Sequence, residues 1–256
     1  MYAETETLRF KFVKKNEFKY LSHLDLIRII SRAAARAGLK LAYSKGFNPK
    51  PRMSFSNPTP LGVESLAEYC DMELQGGINA EEFMGLMNKA LPEYLYIVKA
   101  KIIGENVLKL ISEISLVLYQ FNLRLQEIKN KSYLKIKEKT STEDKNLSDK
   151  NLDLSGVKET LKKDFENEVS KIYEIFNSIY NFSFSIEEDN VIVLKIFGYA
   201  KIFKEKNNLI FKFNNFLSFF NDFTKKYQIS IELFKKVEMY LYLNSADKLV
   251  TPLDLV

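Results

Sequence analysis

The sequence predicts an α+β protein made of two tandem ferredoxin-like units, each with the element order β-α-β-β-α-β. Short segments in which apolar and polar residues alternate, as in half-buried strands, are separated by segments with helical periodicity. The order strand, helix, strand, strand, helix, strand occurs within roughly the first 100 residues, which is the ferredoxin-like pattern. A similar order follows later in the chain, so we expect domains at 1–104 and 105–256.

The first unit begins with a predicted strand over 7–13, where apolar and basic residues alternate. Ser22 is a suitable N-cap for a helix that runs to about Ala37, and Gly38 is a suitable residue to end it. A loop rich in Gly and Pro then leads to a predicted strand around 53–55. A longer strand, a helix capped by Asn79 and a closing strand complete the unit.

The second unit approximates the same order. A polar stretch at about 127–156 predicts a flexible insertion. Around it we expect, in chain order, a strand at 114–125, a helix at 157–178, a hairpin turning at 188–190, a strand near 209–213, a helix at 213–227 and a strand within 229–243. The Phe-rich string of the last helix is expected to be core.

The composition excludes several classes of site. The chain contains one cysteine and one histidine, Cys70 and His23. A structural zinc site needs about four Cys or His ligands, and an iron–sulfur cluster commonly needs three or four thiolates. We therefore expect no metal and no cofactor in the chain, and we expect Cys70 to be a packed thiol. No stretch is apolar enough to span a membrane and no secretory signal opens the sequence, so we expect a cytoplasmic protein.

Positive charge is concentrated near the start of the chain. Residues 7–55 contain twelve lysines and arginines against only Glu17 and Asp25, so this segment has a net charge of +10 (12 − 2). The whole chain has a net charge of only +5. This asymmetry predicts an anionic partner, with nucleic acid as the first candidate.

Two basic features could form the contact with nucleic acid. Arg28, Arg32 and Arg36 are spaced by four residues and predict a stripe along the first helix. The string GFNPKPR at 46–52 predicts a rigid basic loop, because two prolines restrict the backbone. The candidate contacts in this loop and directly before it are Lys45, Phe47, Lys50 and Arg52. An aromatic ring beside basic groups suits single-stranded RNA, although a plain connecting loop with solvated lysines has the same composition.

The segment YLSHLDL places His23 in the first turn of the predicted helix. A histidine there could act as a general base near neutral pH, with Tyr20 or Tyr43 and Lys45 completing a catalytic group. The alternative is a histidine that only packs at the start of a helix. The chain has no phosphate-binding loop and no nucleophile-elbow motif, so nucleotide hydrolysis and esterase chemistry have no support.

Several motifs in the first third of the chain carry a family resemblance: YLSHLDL, RAGL, AYSKGFNPKPR, PLGVES and EYCDMEL. With these motifs the chain resembles the uncharacterised bacterial radical SAM-linked proteins. Members of that family are encoded beside, or fused to, a B12-binding-type radical SAM protein. The resemblance implies such an enzyme as a partner. Relatives carry histidine where this chain has Lys50, so a role for that imidazole does not carry over.

Three functions follow from these expectations. The first is a non-catalytic accessory module that binds RNA and works with a radical SAM enzyme in modification of RNA or of the translation apparatus. The second is a metal-independent RNA endonuclease with His23 as general base, because tandem ferredoxin-like domains resemble the CRISPR repeat-processing endoribonucleases. The third is a protein-interaction scaffold without a role in nucleic-acid binding.

Overall fold

The computed structural model describes residues 5–104, 110–125, 154–187, 191–203, 208–243 and 248–254. The chain forms two compact units, one made of residues up to Val117 together with Lys235–Val256, the other of Leu118–Phe234. Helices and strands occur in both units, which confirms the α+β class. Within the described ranges, no helix has both the length and the apolar character needed to cross a bilayer.

The division between the units differs from the predicted domains 1–104 and 105–256. The last part of the chain belongs to the first unit, because Lys235 and Lys236 pair in parallel with Glu64 and Ser65. Local patterns cannot predict this return, since parallel pairing joins residues that are far apart in sequence.

The first unit contains a sheet with helices packed against it. Its elements are β1 (Thr5–Lys14), a 3-10 turn (Asn16–Tyr20), α1 (His23–Arg36), β2 (Met53–Phe55), β3 (Glu64–Gln75), α2 (Ala80–Ala90), β4 (Leu95–Ile103) and α3 (Leu110–Glu113). β1 lies between β4 and β3, and β2 pairs with the other edge of β3. All these pairings are antiparallel, and the elements from β1 to β4 occur in the predicted order.

The core of this unit forms where β1 meets the two long helices. Phe10 of β1 is fully buried, and its ring lies 5.4 Å from that of Phe83 in α2. α1 starts where predicted, since the Ser22 hydroxyl accepts a hydrogen bond from the Asp25 amide (3.2 Å). Cys70 of β3 is completely buried, and this burial raises the pKa of its thiol.

The second unit is built on a phenylalanine core. Its elements are β5 (Leu116–Leu125), α4 (Leu154–Ser170), α5 (Tyr173–Phe176), β6 (Ile179–Ile186), β7 (Ile192–Tyr199), α6 (Phe213–Lys226) and β8 (Ile229–Leu243). The first two residues of β5 and the part of β8 from Lys235 onward are assigned to the first unit. Their strands are ordered β8-β5-β7-β6. Phe121, Phe165, Phe216 and Phe220 are each at most 1% exposed, so the Phe-rich string is core, as expected. A short strand, β9 (Lys248–Val250), pairs with the end of β8 in the first unit.

Some predicted elements of the second unit differ from those observed. The predicted helix at 157–178 is divided into α4 and α5, and the predicted strand near 209–213 is wrong. There the chain makes only isolated backbone bonds, such as the one from the Phe211 amide to the Tyr199 carbonyl (2.8 Å). Most of the predicted insertion at 127–156, and the predicted turn at 188–190, lie outside the described residues.

A buried cluster of charged side chains joins three strands of the first unit. Lys14 of β1 is paired with Ser65 of β3, and Ser65 is paired with Lys236 of β8, so the three side chains share one row. The Lys236 ammonium forms an ion pair with Glu68 Oε1 at 2.8 Å, with both side chains almost completely buried. The hydroxyl of Thr59 donates a hydrogen bond to the same carboxylate oxygen.

Among the described residues, Glu68 is the carboxylate that acts on both lysines of this cluster, and Glu238 adds a weaker negative field at Lys236. Burial lowers the pKa of Lys14 and that of Lys236, and the negative charge of Glu68 opposes this shift in each case. The contact of the Lys236 ammonium with Glu68 is an ion pair at hydrogen-bonding distance. Loss of Glu68 would remove the main compensating charge from two buried ammonium groups.

We therefore predict that Glu68→Gln destabilises the protein by about 3–5 kcal/mol, the usual cost of removing one partner of a buried ion pair. Glu73→Gln is the matched control. It breaks the ion pair between Arg52 and Glu73, whose side chains are 52% and 26% exposed, and should cost less than about 1 kcal/mol. Urea unfolding followed by circular dichroism measures both variants. Equal losses would contradict the role assigned to Glu68.

Candidate nucleic-acid interface

Residues 42–52 form a hairpin whose two arms are tied together by backbone hydrogen bonds. The Arg52 amide donates to the Ala42 carbonyl (2.8 Å), and the Ser44 amide donates to the Lys50 carbonyl (2.8 Å). The Ser44 hydroxyl also accepts a hydrogen bond from the Lys50 amide (3.0 Å). These bonds fix the arms, so the tip at 45–49 is held on a defined stem.

The hairpin leaves the sheet at one residue of β3, Glu73. The Ala42 amide donates to the Glu73 carbonyl (2.9 Å), and the Glu73 amide donates to the Arg52 carbonyl (3.0 Å). A bond from the Met53 amide to the Pro51 carbonyl (3.0 Å) closes a γ-turn that bends the chain at the foot of the hairpin. Both arms therefore meet β3 only at their base, and the rest of the hairpin projects from the sheet edge.

The tip of the hairpin carries an aromatic ring in full contact with solvent. Phe47 has a relative exposure of 106%, the highest among the exposed large apolar residues of the described chain. Gly46 precedes it with φ = 129°, a backbone conformation that side chains disfavour. Lys45 and Lys50 are exposed on either side of Phe47. The tip therefore offers one apolar surface flanked by two ammonium groups.

The charge of Arg52 is compensated by an ion pair. Its Nη1 lies 2.8 Å from Glu73 Oε2, on the residue that anchors the hairpin. The sequence analysis placed Arg52 with the binding residues, whereas the structure also gives it a role in holding the stem to β3. Tyr43 stands on the first arm, opposite Pro51, and is half exposed.

The arginine stripe lies on the exposed side of α1. Leu26 and Ile30 lie on the buried side of α1. Arg28 and Arg32 each follow one of these residues by two positions, which is about 200° around the helix axis, and both are exposed. Arg28 Nη1 bonds Asp25 Oδ1 (3.0 Å). Arg36 Nη2 donates to the Ala90 carbonyl (2.8 Å), so it satisfies the carboxyl end of α2.

His23 is the first residue of α1, and it is exposed. Its ring meets the edge of the Phe55 ring of β2, with centroids 5.4 Å apart and planes at 86°. Asp25 is not its partner, because the Ser22 hydroxyl and Arg28 hold that carboxylate. The same two contacts lower the pKa of Asp25.

Of the other candidate catalytic residues, one lies in the turn before α1 and two lie in the hairpin. Tyr20 ends the 3-10 turn before α1, with the Lys19 ammonium 5.3 Å from its ring centroid. Lys45 and Tyr43 belong to the hairpin. In the part of the chain that the structure describes, no recorded hydrogen bond or ion pair joins His23 to any of these three residues. Nor do three or more Cys, His, Asp or Glu side chains of that part lie together as a metal site would require.

Sequence reasoning missed the features that organise this interface. Neither the projection of the hairpin from the sheet edge nor the ion pair that holds Arg52 could be read from local patterns. The alternation of side chains along β3 does predict that Glu73 lies on the same face of the strand as Asp71, two residues earlier. It does not predict the partner of Glu73. The contact of Arg36 with α2 had no signal in the sequence.

Comparisons with known proteins place the chain in a family without giving it an activity. No curated protein matches it. A solved structure described as an unknown protein from Galdieria sulphuraria covers 91% of this chain and 99% of its own length, at 8% identity and a TM-score of 0.25. Another, provisionally described as a glycine cleavage system transcriptional repressor, covers 91% and 98%, at 9% identity and a TM-score of 0.23. Scores this low support no conclusion about fold or function. The profile of a family described as an uncharacterized protein conserved in bacteria (DUF2344) matches residues 7–192, well over half of the chain, and the chain therefore belongs to that family.

Proposed function

We propose that this chain is a non-catalytic RNA-binding accessory protein whose hairpin at 42–52 contacts single-stranded RNA. In this proposal it works with a radical SAM enzyme in the modification of RNA or of the translation apparatus. The observation that supports RNA binding is the projecting, internally bonded hairpin with Phe47 fully exposed between Lys45 and Lys50. The motif resemblance to radical SAM-linked proteins supports the enzyme partner.

The chemistry of the hairpin tip suits an unpaired nucleotide. A base that is not stacked in a duplex can lie against the Phe47 ring, which contributes about 1–3 kcal/mol for each stacked base. In this proposal the ammonium groups of Lys45 and Lys50 contact phosphates beside that base. A paired base offers no free face to the ring, so single strands are the preferred substrate.

We also infer that both units are ferredoxin-like. In the first unit the strands are ordered β4-β1-β3-β2 with antiparallel pairing, and two helices connect them as that fold requires. In the second unit the corresponding order is β8-β5-β7-β6. When the strands of each unit are numbered one to four along the chain, both units therefore have the order 4-1-3-2. RNA and an iron–sulfur enzyme as partners imply that the chain works in the cytoplasm.

The endonuclease hypothesis receives no comparable support. General base catalysis needs a second group that orients the imidazole or stabilises the leaving group. The recorded neighbour of the His23 ring is Phe55, and Asp25 is held by other residues. We therefore assign His23 to packing at the start of α1.

We predict that replacing both Lys45 and Lys50 with alanine weakens binding to single-stranded RNA and flattens its salt dependence. Each phosphate contact to a single strand contributes about 0.7 to the slope of log K against log salt, so the slope should fall by about 1.4. Fluorescence anisotropy of a short labelled RNA across a salt series measures this. Lys171→Ala with Lys225→Ala, at two exposed lysines of the second unit, makes the same change in net charge and should leave the slope unchanged. Equal slopes for both double variants would refute the assignment.

We predict a different signature for Phe47→Ala. Loss of base stacking should weaken binding by about 1–3 kcal/mol, while the salt slope stays the same because no charge is removed. Phe47→Tyr keeps an aromatic face and should retain most of the affinity. Because the side chain is fully exposed, neither change should alter the free energy of unfolding appreciably. An unchanged Kd for Phe47→Ala would exclude stacking at the tip.

A further inference from the structure

A cavity of about 280 Å³ lies in the second unit, lined by α5, by the chain that follows β7 and by the first turn of α6. Most of its lining is apolar. Ile175 and Phe216 are buried, while Ile202 and Ile210 are open to solvent. The volume is just below the roughly 300–1,000 Å³ of pockets that hold drug-sized ligands. The cavity therefore has room for a small metabolite.

An irregular segment before α6, where the sequence predicted a strand, forms one wall of the cavity. The Leu209 amide donates to the Asn177 carbonyl (2.9 Å), which ties this wall to the turn after α5. The side chain of Asn208 donates to the Lys201 carbonyl (2.9 Å) and accepts a hydrogen bond from the Phe203 amide (2.7 Å). The wall is therefore held to the chain on both sides, and the cavity is preformed.

Two opposite charges line the cavity without a partner in the protein. Glu174 of α5 and Lys212, directly before α6, both border the cavity and are exposed. Among the described residues, neither side chain has a recorded hydrogen bond or ion pair, either with the other or with a third group. A carboxylate and an ammonium held apart beside apolar walls can each pair with a ligand group of opposite charge.

The first turn of α6 adds hydrogen-bond donors beside Lys212. The first bond of this helix runs from the Phe216 amide to the Lys212 carbonyl (3.1 Å), and no side chain caps its start. Within the described chain, the amides of residues 213–215 have no recorded partner, and Asn215 lines the cavity. Amides at the start of a helix favour an anion. The Lys212 side of the cavity therefore suits a carboxylate, and the Glu174 side suits an ammonium group.

We propose that this cavity binds a free α-amino acid with an aliphatic side chain. The amino group pairs with Glu174, the carboxylate meets Lys212 and the first amides of α6, and the side chain packs on Ile175 and Phe216. An anion alone would leave Glu174 unpaired, and a cation alone would leave Lys212 unpaired, so a zwitterion is the class that satisfies both. All the residues involved belong to the second unit, so the site goes beyond the proposed function and does not depend on it.

The test titrates the full chain with L-leucine by isothermal calorimetry, beside two analogues that each lack one charge. 4-Methylpentanoate lacks the amino group, and 3-methylbutylamine lacks the carboxylate. We expect each analogue to bind at least about tenfold more weakly than L-leucine, because each loses one charged contact. Among L-amino acids, a shorter side chain should weaken binding by about fourfold for each methylene lost, because less apolar surface is buried.

Two substitutions identify which residue meets which group of the ligand. Glu174→Gln should weaken binding of L-leucine about tenfold without weakening that of 4-methylpentanoate. Lys212→Gln should do the same to L-leucine without weakening binding of 3-methylbutylamine. The matched controls are Glu166→Gln and Lys225→Gln, at exposed residues of the same unit that do not line the cavity, and both should bind L-leucine like the unchanged chain. Thermal unfolding without ligand checks that each variant is folded.

The proposal is overturned if L-leucine, L-isoleucine, L-valine and L-methionine all fail to bind at millimolar concentration. Equal affinity for L-leucine and 4-methylpentanoate would also overturn it, because the ligand would then be an apolar anion. Equal losses in Glu174→Gln and Glu166→Gln would remove the assigned partner of the amino group. The arms with ligand analogues need no variant, so they decide the question even if a substitution disturbs the fold.

Discussion

The first unit depends on one buried carboxylate, Glu68, which faces two lysines at the end of its sheet. Lys14 and Lys236 come from strands on opposite sides of β3, and Glu68 compensates charge from both. A bare ammonium in such surroundings costs several kcal/mol, so these strands are stable together only with the carboxylate in place. The same carboxylate accepts the hydroxyl of Thr59 and so fixes the loop that follows β2.

That loop connects the buried charge to the turn before α1. Ser56 exchanges hydrogen bonds with the backbone of Tyr69, so the loop is bonded to β3 at two points, here and at Thr59. Beyond these points it presents Leu61 to solvent and meets the turn before α1. On the same strand, Glu73 anchors the hairpin. β3 therefore positions the loop with Glu68 and the hairpin with Glu73.

The parts of the fold that sequence predicted are those set by local chemistry. Ser22 as N-cap and Gly38, with φ = 72° after the end of α1, act through neighbours a few residues away. The Phe-rich string was recognisable as core because its spacing fits one side of a helix. The strand expected near 209–213 failed, because apolar alternation there reflects packing of an irregular segment. Phe211 lies so close to Gly198 that a Cβ there would be only 2.4 Å from its ring.

The candidate site was predicted in its residues but not in its arrangement, and the reason is electrostatic. Sequence gives the net charge of a segment but not which charges are already compensated. Arg9 is buried and makes a bidentate pair with Asp71 (2.8 and 2.9 Å), and Lys11 is paired with Glu238. Arg36 is bonded to the end of α2 and Lys14 is buried beside Glu68.

A charge of +10 over residues 7–55 therefore overstates the field that a ligand meets. What reaches solvent is divided between the hairpin tip, with Lys45 and Lys50 beside Phe47, and the outer face of α1, with Arg28 and Arg32. Compensation of the other cations thus leaves the hairpin tip with less charge than the segment as a whole carries, so the exposed Phe47 ring gains weight in the proposed contact with RNA.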